Sequence, residues 1–350
     1  MCDTFAKIIE KEKYAIFGKN SDREKEECQI VQFIPAKSNI NKYLKTTYIE
    51  IEQVKNTASI FISKPYWMWG AEMGVNEYGV CIGNEALYSN QYNNPNLGLL
   101  GMDLVRLGLE RGKTAHEALC IIIDLLEKYG QGGYCSLKNK DLYDNAFLIM
   151  DIKDCFILET KNKHWQYKKV KYASISNIFS IRHPDEFSDL KNFKRLFEKK
   201  GKHSGDYRKK LMQKPIKKLS TIEEAINILR MHNKIDNDPL VKKKSVCMHG
   251  EYRTTGSMCV ELKRGEKPKI FFTATPHPCQ SLFLPFTFGE KIANPINNEN
   301  EQDTLFWENH SKLLNKTSIC EEKLKYFQHK IISQNLSLED SLHIRNQIFN

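Results

Sequence analysis

The order of strand and helix signals along the chain is the feature that most constrains its fold. Short β-branched or aromatic runs, each bounded by turn residues, predict strands at 14–18, 29–34, 57–63 and 79–84. A helical hairpin follows, because leucines at helical spacing cover 100–112 and a capping box at Thr114 begins a second helix over 115–129. Further strands are predicted at 145–150, 155–159, 165–170 and 173–181, forming one meander, and at 257–262 and 269–273. Strands in hairpins with helices grouped between them favour an α+β fold with antiparallel sheets.

The remaining helices are predicted in polar segments. The basic stretch 189–218 is expected to be helical, and Ser220 is expected to cap a helix that runs to about His232. Beyond Asn294 the chain is rich in Asn, Glu and Gln and is expected to end in one or two helices. We therefore predict a main domain at 2–293 and a polar helical extension at 294–350.

Composition excludes several classes of protein. The chain has 350 residues and a formal net charge of +10, with much of the excess between Lys191 and Lys218. Aromatic residues are sparse there and no nucleic-acid motif is present, so we interpret this segment as a solvated helical face. The absence of a signal peptide or a long apolar run, together with ten cysteines, predicts a cytoplasmic protein with reduced thiols and no integral membrane segment.

Cys2 is the first candidate for chemistry. Removal of Met1 would leave a residue that carries both a thiol and a free α-amine, and an α-amine titrates near pH ~7.7–8.0, low enough to accept a proton at neutral pH. Nucleophile and base would then belong to one residue. Motifs of nucleotide-binding and metal-dependent enzymes are missing from the sequence, so no cofactor and no metal are expected.

Four longer motifs carry a family resemblance. They are FGKNSDR at 17–23, WMWGAEMGVNEYGV at 67–80, IGNEA at 82–86 and LLGMDLVRLGLERG at 99–112. With weaker matches up to position 278, the chain resembles the secernins, a dipeptidase-type branch of the N-terminal-nucleophile (Ntn) hydrolases. The resemblance implies a four-layer αββα sandwich of antiparallel sheets, no cofactor, and activation by removal of Met1 alone.

The resemblance also implies roles for individual residues. Cys2 would attack an amide carbonyl, Asp22 would hold the amine or orient the nucleophile, and Lys19 would keep the positive charge that more distant relatives, the bile-salt hydrolases and penicillin V acylases, place on an arginine. Asn84 matches an oxyanion-hole amide, and Asn177 matches a second asparagine that is structural or orients the substrate.

Two further residues are weaker candidates for substrate binding, Trp69 as a pocket wall and Arg253 as a contact for a substrate carboxylate. The nine cysteines other than Cys2 are expected to pack as small hydrophobic residues. His249 and His277 lie near family-like segments, but no third residue in the sequence suggests a metal site.

The leading hypothesis is a cysteine Ntn hydrolase that cleaves a small peptide or amide. Two alternatives stay open. The fold could act as an interaction scaffold, since eukaryotic secernins are associated with exocytosis, or residue 2 could be converted into an electrophilic carbonyl that traps nucleophiles. Each candidate residue also has a structural interpretation: Lys19, Asn20 and Asp22 could form a polar turn, and Asn84 could be a turn former. Self-association also remains open.

Overall fold

A computed structural model describes residues 1–90, 96–181, 187–201, 203–233, 244–290, 304–316 and 319–349. The strands in chain order are β1 (Cys2–Ile9), β2 (Tyr14–Glu24), β3 (Gln29–Ile34), β4 (Lys37–Ser38), β5 (Tyr43–Lys45), β6 (Glu50–Glu52), β7 (Asn56–Thr57), β8 (Ile60–Pro65), β9 (Met73–Asn76), β10 (Cys81–Leu87), β11 (Asp144–Met150), β12 (Cys155–Lys161), β13 (His164–Val170), β14 (Tyr172–Ile175), β15 (Tyr252–Lys263), β16 (Lys269–Phe272) and β17 (Leu284–Phe286). The helices are α1 (Gly101–Arg111), α2 (Ala115–Tyr129), α3 (Phe193–Phe197), α4 (Ser204–Lys218), α5 (Ile222–Leu229), α6 (Leu305–Leu314), α7 (Glu321–Ser333) and α8 (Leu338–Phe349).

Two antiparallel sheets form the centre of the molecule. The first sheet has the order β14-β1-β2-β15-β16-β17, and the second has the order β13-β12-β11-β10-β9-β8-β3. Strand β1 contacts β10 and β11 across the interface, while α4 and α5 cover the outer face of the first sheet and α1 and α2 cover that of the second. The predicted αββα sandwich of antiparallel sheets is confirmed.

The helical hairpin forms as the sequence predicts. The hydroxyl of Thr114 accepts a hydrogen bond from the backbone N–H of Glu117, and the helix ends at Gly130, whose φ of 72° suits glycine. The apolar faces of α1 and α2 pack with residues of the second sheet in one hydrophobic cluster. This cluster holds α1 and α2 against the outer face of the second sheet, whose inner face contributes to the candidate site.

Strand β2 corrects the prediction of a polar turn after residue 18. The strand continues to Glu24, and all of its eleven residues are buried, including Lys19 and Asp22. Buried charged residues persist in a strand only where other charged or polar groups pair with them, and each of these two has such partners. The structural alternative of a solvated turn is therefore wrong.

The predicted four-strand meander is also wrong at its last strand. Strands β11, β12 and β13 are neighbours, but β14 ends at Ile175 and pairs with β1 in the first sheet. The chain thus crosses from one sheet to the other, and the irregular backbone after β14 carries Asn177 to the start of β1.

The helical predictions after residue 189 need two corrections. The basic stretch contains two helices, α3 and α4, and its Arg208 is fully buried, so this segment is not simply a solvated face. Thr221 caps α5 through its hydroxyl, and the helix ends at Leu229, before the predicted His232.

The C-terminal helices pack on the sandwich. Leu324 of α7 and Leu342 of α8 belong to the same hydrophobic cluster as the first sheet, and the Trp307 indole of α6 donates a hydrogen bond to the carbonyl of Thr255. The predicted boundary between 293 and 294 lies outside the described residues and stays a prediction. In the described part of the chain, no helix combines the length and apolarity that a membrane crossing requires.

Candidate active site

Cys2 lies at the first position of β1, opposite Ser21 of β2. Its side chain is buried, and its Sγ lies 3.7 Å from Oε2 of Glu72, which approaches from the second sheet. Its backbone N–H donates to Oδ1 of Asn177 at 2.9 Å. The thiol and the nitrogen of one residue are therefore both held between the sheets.

Met1 lies beside Cys2 and lines the cavities next to it. Its amine donates to the backbone carbonyl of Asp22 at 2.8 Å, and its sulfur lies 3.6 Å from the Ser204 hydroxyl. Met1 lines both a cavity of about 10 Å³ that contains Cys2 and a neighbouring cavity of about 230 Å³ at the start of α4. Tyr88 also lines both cavities, so Met1 and Tyr88 together form the boundary that the small and the larger cavity share.

Lys19 supplies a buried positive charge beside the thiol. Its Nζ donates to the backbone carbonyl of Asn84 at 2.6 Å and lies 3.8 Å from Glu72 and 3.9 Å from Glu85. Burial alone would lower the pKa of Lys19, but the surrounding acidic groups raise it above its ordinary value. The residue stays protonated at neutral pH.

Glu72 is held in place from its other oxygen. Arg23 donates from Nη1 to Oε1 of Glu72 at 3.0 Å, and it is itself fixed by Glu27 and by the carbonyl of Cys135, both at 2.6 Å. Oε2 of Glu72 therefore stays directed at the thiol and at Lys19.

The thiol of Cys2 is protonated in this form of the chain. Burial raises its pKa to about 11; the charge of Lys19 opposes the increase, and that of Glu72 adds to it. A buried thiol of this kind needs an adjacent base before it can act as a nucleophile.

Asp22 lies on β2 beside this group. Its Oδ1 accepts a hydrogen bond from the Thr254 hydroxyl at 2.6 Å, whereas Oδ2 has no hydrogen-bond partner among the described residues. Burial raises the pKa of Asp22 to about 7, against the opposing effect of the nearby terminal amine. The amine beside Asp22 in this form of the chain belongs to Met1, so the role of holding the amine of Cys2 stays a prediction.

Arg208 of α4 links Asn177 to Asp3, near the start of β1. Its Nη2 donates to Oδ1 of Asn177 at 2.5 Å, and its Nε donates to Oδ2 of Asp3 at 2.8 Å. The amide nitrogen of Asn177 donates to the carbonyl of Ala86. Asn177 is thus locked in the orientation in which its oxygen receives the Cys2 N–H.

Asn84 does not direct its side chain at Cys2. Its amide nitrogen donates to Oδ1 of Asn145 at 3.0 Å and faces the Met102 sulfur, on the helix-covered side of the second sheet. Only its backbone carbonyl reaches the site, through Lys19. The next residue, Glu85, points inward instead, because adjacent residues of a strand face opposite sides.

The two predicted substrate contacts lie away from the cavities that Met1 lines. Trp69 packs under the guanidinium of Arg106, 4.0 Å from the ring centroid. Arg253 donates to the Ser311 hydroxyl at 3.0 Å and covers the Trp307 ring, so it contacts α6.

Four residues of the site were not singled out from the sequence: Glu72, Glu85, Arg23 and Arg208. Glu72, Glu85 and Arg23 do lie inside the family motifs at 67–80, 82–86 and 17–23, so their place in those motifs was the available signal. Arg208 is hidden among many exposed basic residues and could not be distinguished from them.

Glu85 provides a test of these electrostatics. Burial raises its pKa from 4.5 to about 7, although Lys19 and the Thr4 hydroxyl oppose the shift. Between these two pH values the folded state binds more protons than the unfolded state, so the free energy of unfolding falls as pH rises, by about 3 kcal/mol for a shift of this size. We expect Glu85→Gln to remove this loss, so that its denaturant midpoint changes less than that of the wild type between pH 5 and pH 8.

The control for this measurement is Glu50→Gln, at an exposed position of β6. It should keep the wild-type dependence on pH. Some dependence will remain in Glu85→Gln because burial also raises the pKa of Asp22 to about 7 and that of Asp103 to about 6. An unchanged slope in Glu85→Gln would contradict the assignment.

Comparisons with known proteins place the fold in a structural class. No family model matches the sequence. A mutant conjugated bile acid hydrolase from Clostridium perfringens is similar over 87% of this chain and 94% of its own, with 14% identity and a TM-score of 0.50. Penicillin V acylase from Agrobacterium tumefaciens is similar over 83% and 87%, with 12% identity and a TM-score of 0.46. An N-acylethanolamine-hydrolyzing acid amidase ortholog from Caenorhabditis elegans is similar over 76% and 94%, with 10% identity and a TM-score of 0.41. The architecture and the first of these likenesses show the Ntn-hydrolase fold.

Proposed function

We propose that this chain is a cysteine Ntn hydrolase of the secernin type that cleaves a small peptide or amide bond once Met1 has been removed. One observation carries the proposal. The thiol of Cys2 faces Glu72 while its nitrogen is held by Asn177, and Met1 lines both the small cavity at Cys2 and a larger cavity beside it. An Ntn hydrolase needs a thiol and an α-amine on one residue, with space for the substrate beside them.

In the proposed reaction, the free α-amine of Cys2 takes the thiol proton, and the sulfur attacks the amide carbonyl carbon. The tetrahedral intermediate then expels the amine product, which receives that proton, and leaves a thioester on sulfur. Water attacks the thioester while the amine accepts its proton; the second tetrahedral intermediate expels the Cys2 sulfur, which takes that proton back, and the acid product departs. Lys19 favours the thiolate electrostatically, and Asn177 orients the α-amine.

Loss of Met1 would also create the substrate space. The larger cavity of about 230 Å³ would join the space around Cys2, which brings the combined volume toward the lower limit of ~300 Å³ for ligand sites. The site therefore suits a small substrate.

The residues around this space favour a polar substrate. Charged side chains line both cavities: Glu24 and Asp141 on the Cys2 side, and Glu198, Lys199 and Asp206 on the other. Such a lining can pair with the two charged ends of a dipeptide. A long acyl chain would instead cover these charged groups without pairing with them, which is unfavourable. This contrast supports a dipeptidase-like specificity.

The experiment combines the mass of the intact protein with a substrate panel. The purified chain should lack Met1 and carry an unmodified Cys2, and it should release amines from dipeptides faster than from N-acyl amides with long chains. A retained Met1 with no turnover would favour the scaffold alternative. A mass loss at residue 2 would favour the electrophilic carbonyl, and either result would overturn the hydrolase proposal.

A further inference from the structure

A second group of reactive side chains lies apart from the Cys2 site. The ligand atoms of His232, Cys247, His249 and Cys279 all lie within 4.8 Å of one another. Nε2 of His249 is at the centre of the group, 3.1 Å from Nε2 of His232, 3.3 Å from Sγ of Cys247 and 3.4 Å from Sγ of Cys279. Three separate segments supply these residues: the segment that follows α5, the approach to β15 and the turn after β16.

From this arrangement we propose a structural zinc site formed by two cysteines and two histidines. Tetrahedral zinc with Zn–S near 2.3 Å and Zn–N near 2.0–2.1 Å places its ligand atoms about 3.3–3.8 Å apart. The three measured separations are within a few tenths of an ångström of this range, so a small outward movement of the side chains would admit the ion. Thiolate and imidazole ligands in equal number are a set that zinc prefers.

The surrounding structure holds the ligands in place before any ion binds. The backbone N–H of Cys247 donates to the carbonyl of Met231 at 3.0 Å, which joins the first two segments. Arg230 donates to the carbonyls of Pro278 and Ser281, both at 2.8 Å, and so fixes the turn that carries Cys279.

His277 orients the central ligand without joining the set. Its ring stacks on that of His249, with centroids 4.3 Å apart and planes 9° apart. A ring stacked in this way restricts the rotation of a metal-binding imidazole. Cys279 and His232 also line a cavity of about 760 Å³, which gives an ion a route to the site.

The simplest competing explanation is a disulfide between Cys247 and Cys279. Both cysteines are free in the structure, and both sulfurs approach the same histidine nitrogen. A disulfide would require neither histidine, whereas here both histidines lie in one group with both sulfurs. The convergence therefore favours a metal ion over oxidation.

The position of the site indicates what the ion does. Between the two ligands of the second segment, the backbone N–H of Met248 donates to the Thr254 hydroxyl, which in turn donates to Asp22. The carbonyl of Val246 accepts a hydrogen bond from the side chain of Asn20, which lies on β2 like Asp22. An ion with four protein ligands has no open position for catalysis. Its role would be structural: it would fix the segment at 246–248, which is hydrogen-bonded to β2 directly and through Thr254.

The test is the metal content of the full chain, measured by elemental analysis after purification and after incubation with zinc followed by gel filtration. We expect about one zinc per chain, and we expect cobalt in its place to give the visible bands of tetrahedral thiolate coordination. Cys279→Ser should lower zinc affinity by at least about tenfold, and Cys247→Ser combined with Cys279→Ser should abolish binding. Cys120→Ser, at an exposed cysteine outside the group, should bind like the wild type.

Folding is followed separately, so that loss of structure is not mistaken for loss of a ligand. A chelator should lower the thermal midpoint of the wild type and of Cys120→Ser, while the double variant should not respond. His232→Ala removes the exposed ligand, perturbs the core least, and should also weaken zinc binding. A wild-type chain that binds no zinc, a double variant that keeps it, or a mass showing a Cys247–Cys279 disulfide in the freshly purified protein would each overturn the proposal.

Discussion

Replacing Cys2 with alanine is expected to abolish hydrolysis, with a loss of at least about a thousandfold in kcat, because the variant has no nucleophile to form the thioester. The backbone nitrogen held by Asn177 remains, so the fold and the α-amine of residue 2 should be kept. The measurement is amine release from the best substrate of the panel, beside the thermal midpoint and the mass of the N-terminus. Cys2→Ser should also be severely impaired, since a hydroxyl is far less acidic than a thiol.

The matched control for this change is Cys259→Ala. Cys259 is equally buried, lies on β15 of the same sheet, and is part of the hydrophobic cluster without lining either cavity near Met1. It should keep the wild-type rate. Full hydrolysis by Cys2→Ala or Cys2→Ser would contradict the role of the thiol.

Replacing Arg208 with alanine is expected to destabilise the protein by about 3–5 kcal/mol, because it leaves a buried carboxylate without its partner. Arg208 is fully buried and donates to Asp3, Ser176 and Asn177. The free energy of unfolding from denaturant titration measures the effect. Asp3→Asn in the same chain should recover part of the loss, because the carboxylate charge is then absent.

Arg195→Ala is the control, since this arginine of α3 is exposed in the same basic stretch. It should change stability by less than ~0.5 kcal/mol. Arg208→Lys should keep part of the pairing with Asp3 but lose the forked contact with Asn177. Relative to Arg208→Ala, it should therefore recover more of the free energy of unfolding than of kcat. An Arg208→Ala variant as stable as Arg195→Ala would contradict the buried network.

Local signals in the sequence were sufficient for a large part of the fold. Helix α2 is capped by the Thr114 hydroxyl at its N-terminus and by Gly130 at its C-terminus. Each of these signals acts within one turn of the helix. Strand β3 forms at the predicted residues for the same reason, since its apolar run has clear ends. The αββα arrangement followed from the grouping of such elements.

The site itself depends on long-range pairing, which the sequence does not display. Residues 19–24 are polar enough to predict a turn, and they extend β2 only because charges from distant segments pair with them. Asn84 and Glu85 are neighbours in a strand buried on both faces, so no polar side of the strand reveals which residue points inward. Asn177 was predicted from the family resemblance, while its hydrogen-bond partner Arg208 was not.

The most direct test of the central claim compares two forms of one polypeptide. Chain produced while methionine aminopeptidase is inhibited should retain Met1, and treatment with purified aminopeptidase should then expose Cys2 without any change of sequence. We predict that the untreated form hydrolyses nothing and that activity appears in proportion to the fraction of chains lacking Met1 by mass. Equal hydrolysis by the form that retains Met1 would contradict the account, because Cys2 would then have no free amine to act as its base.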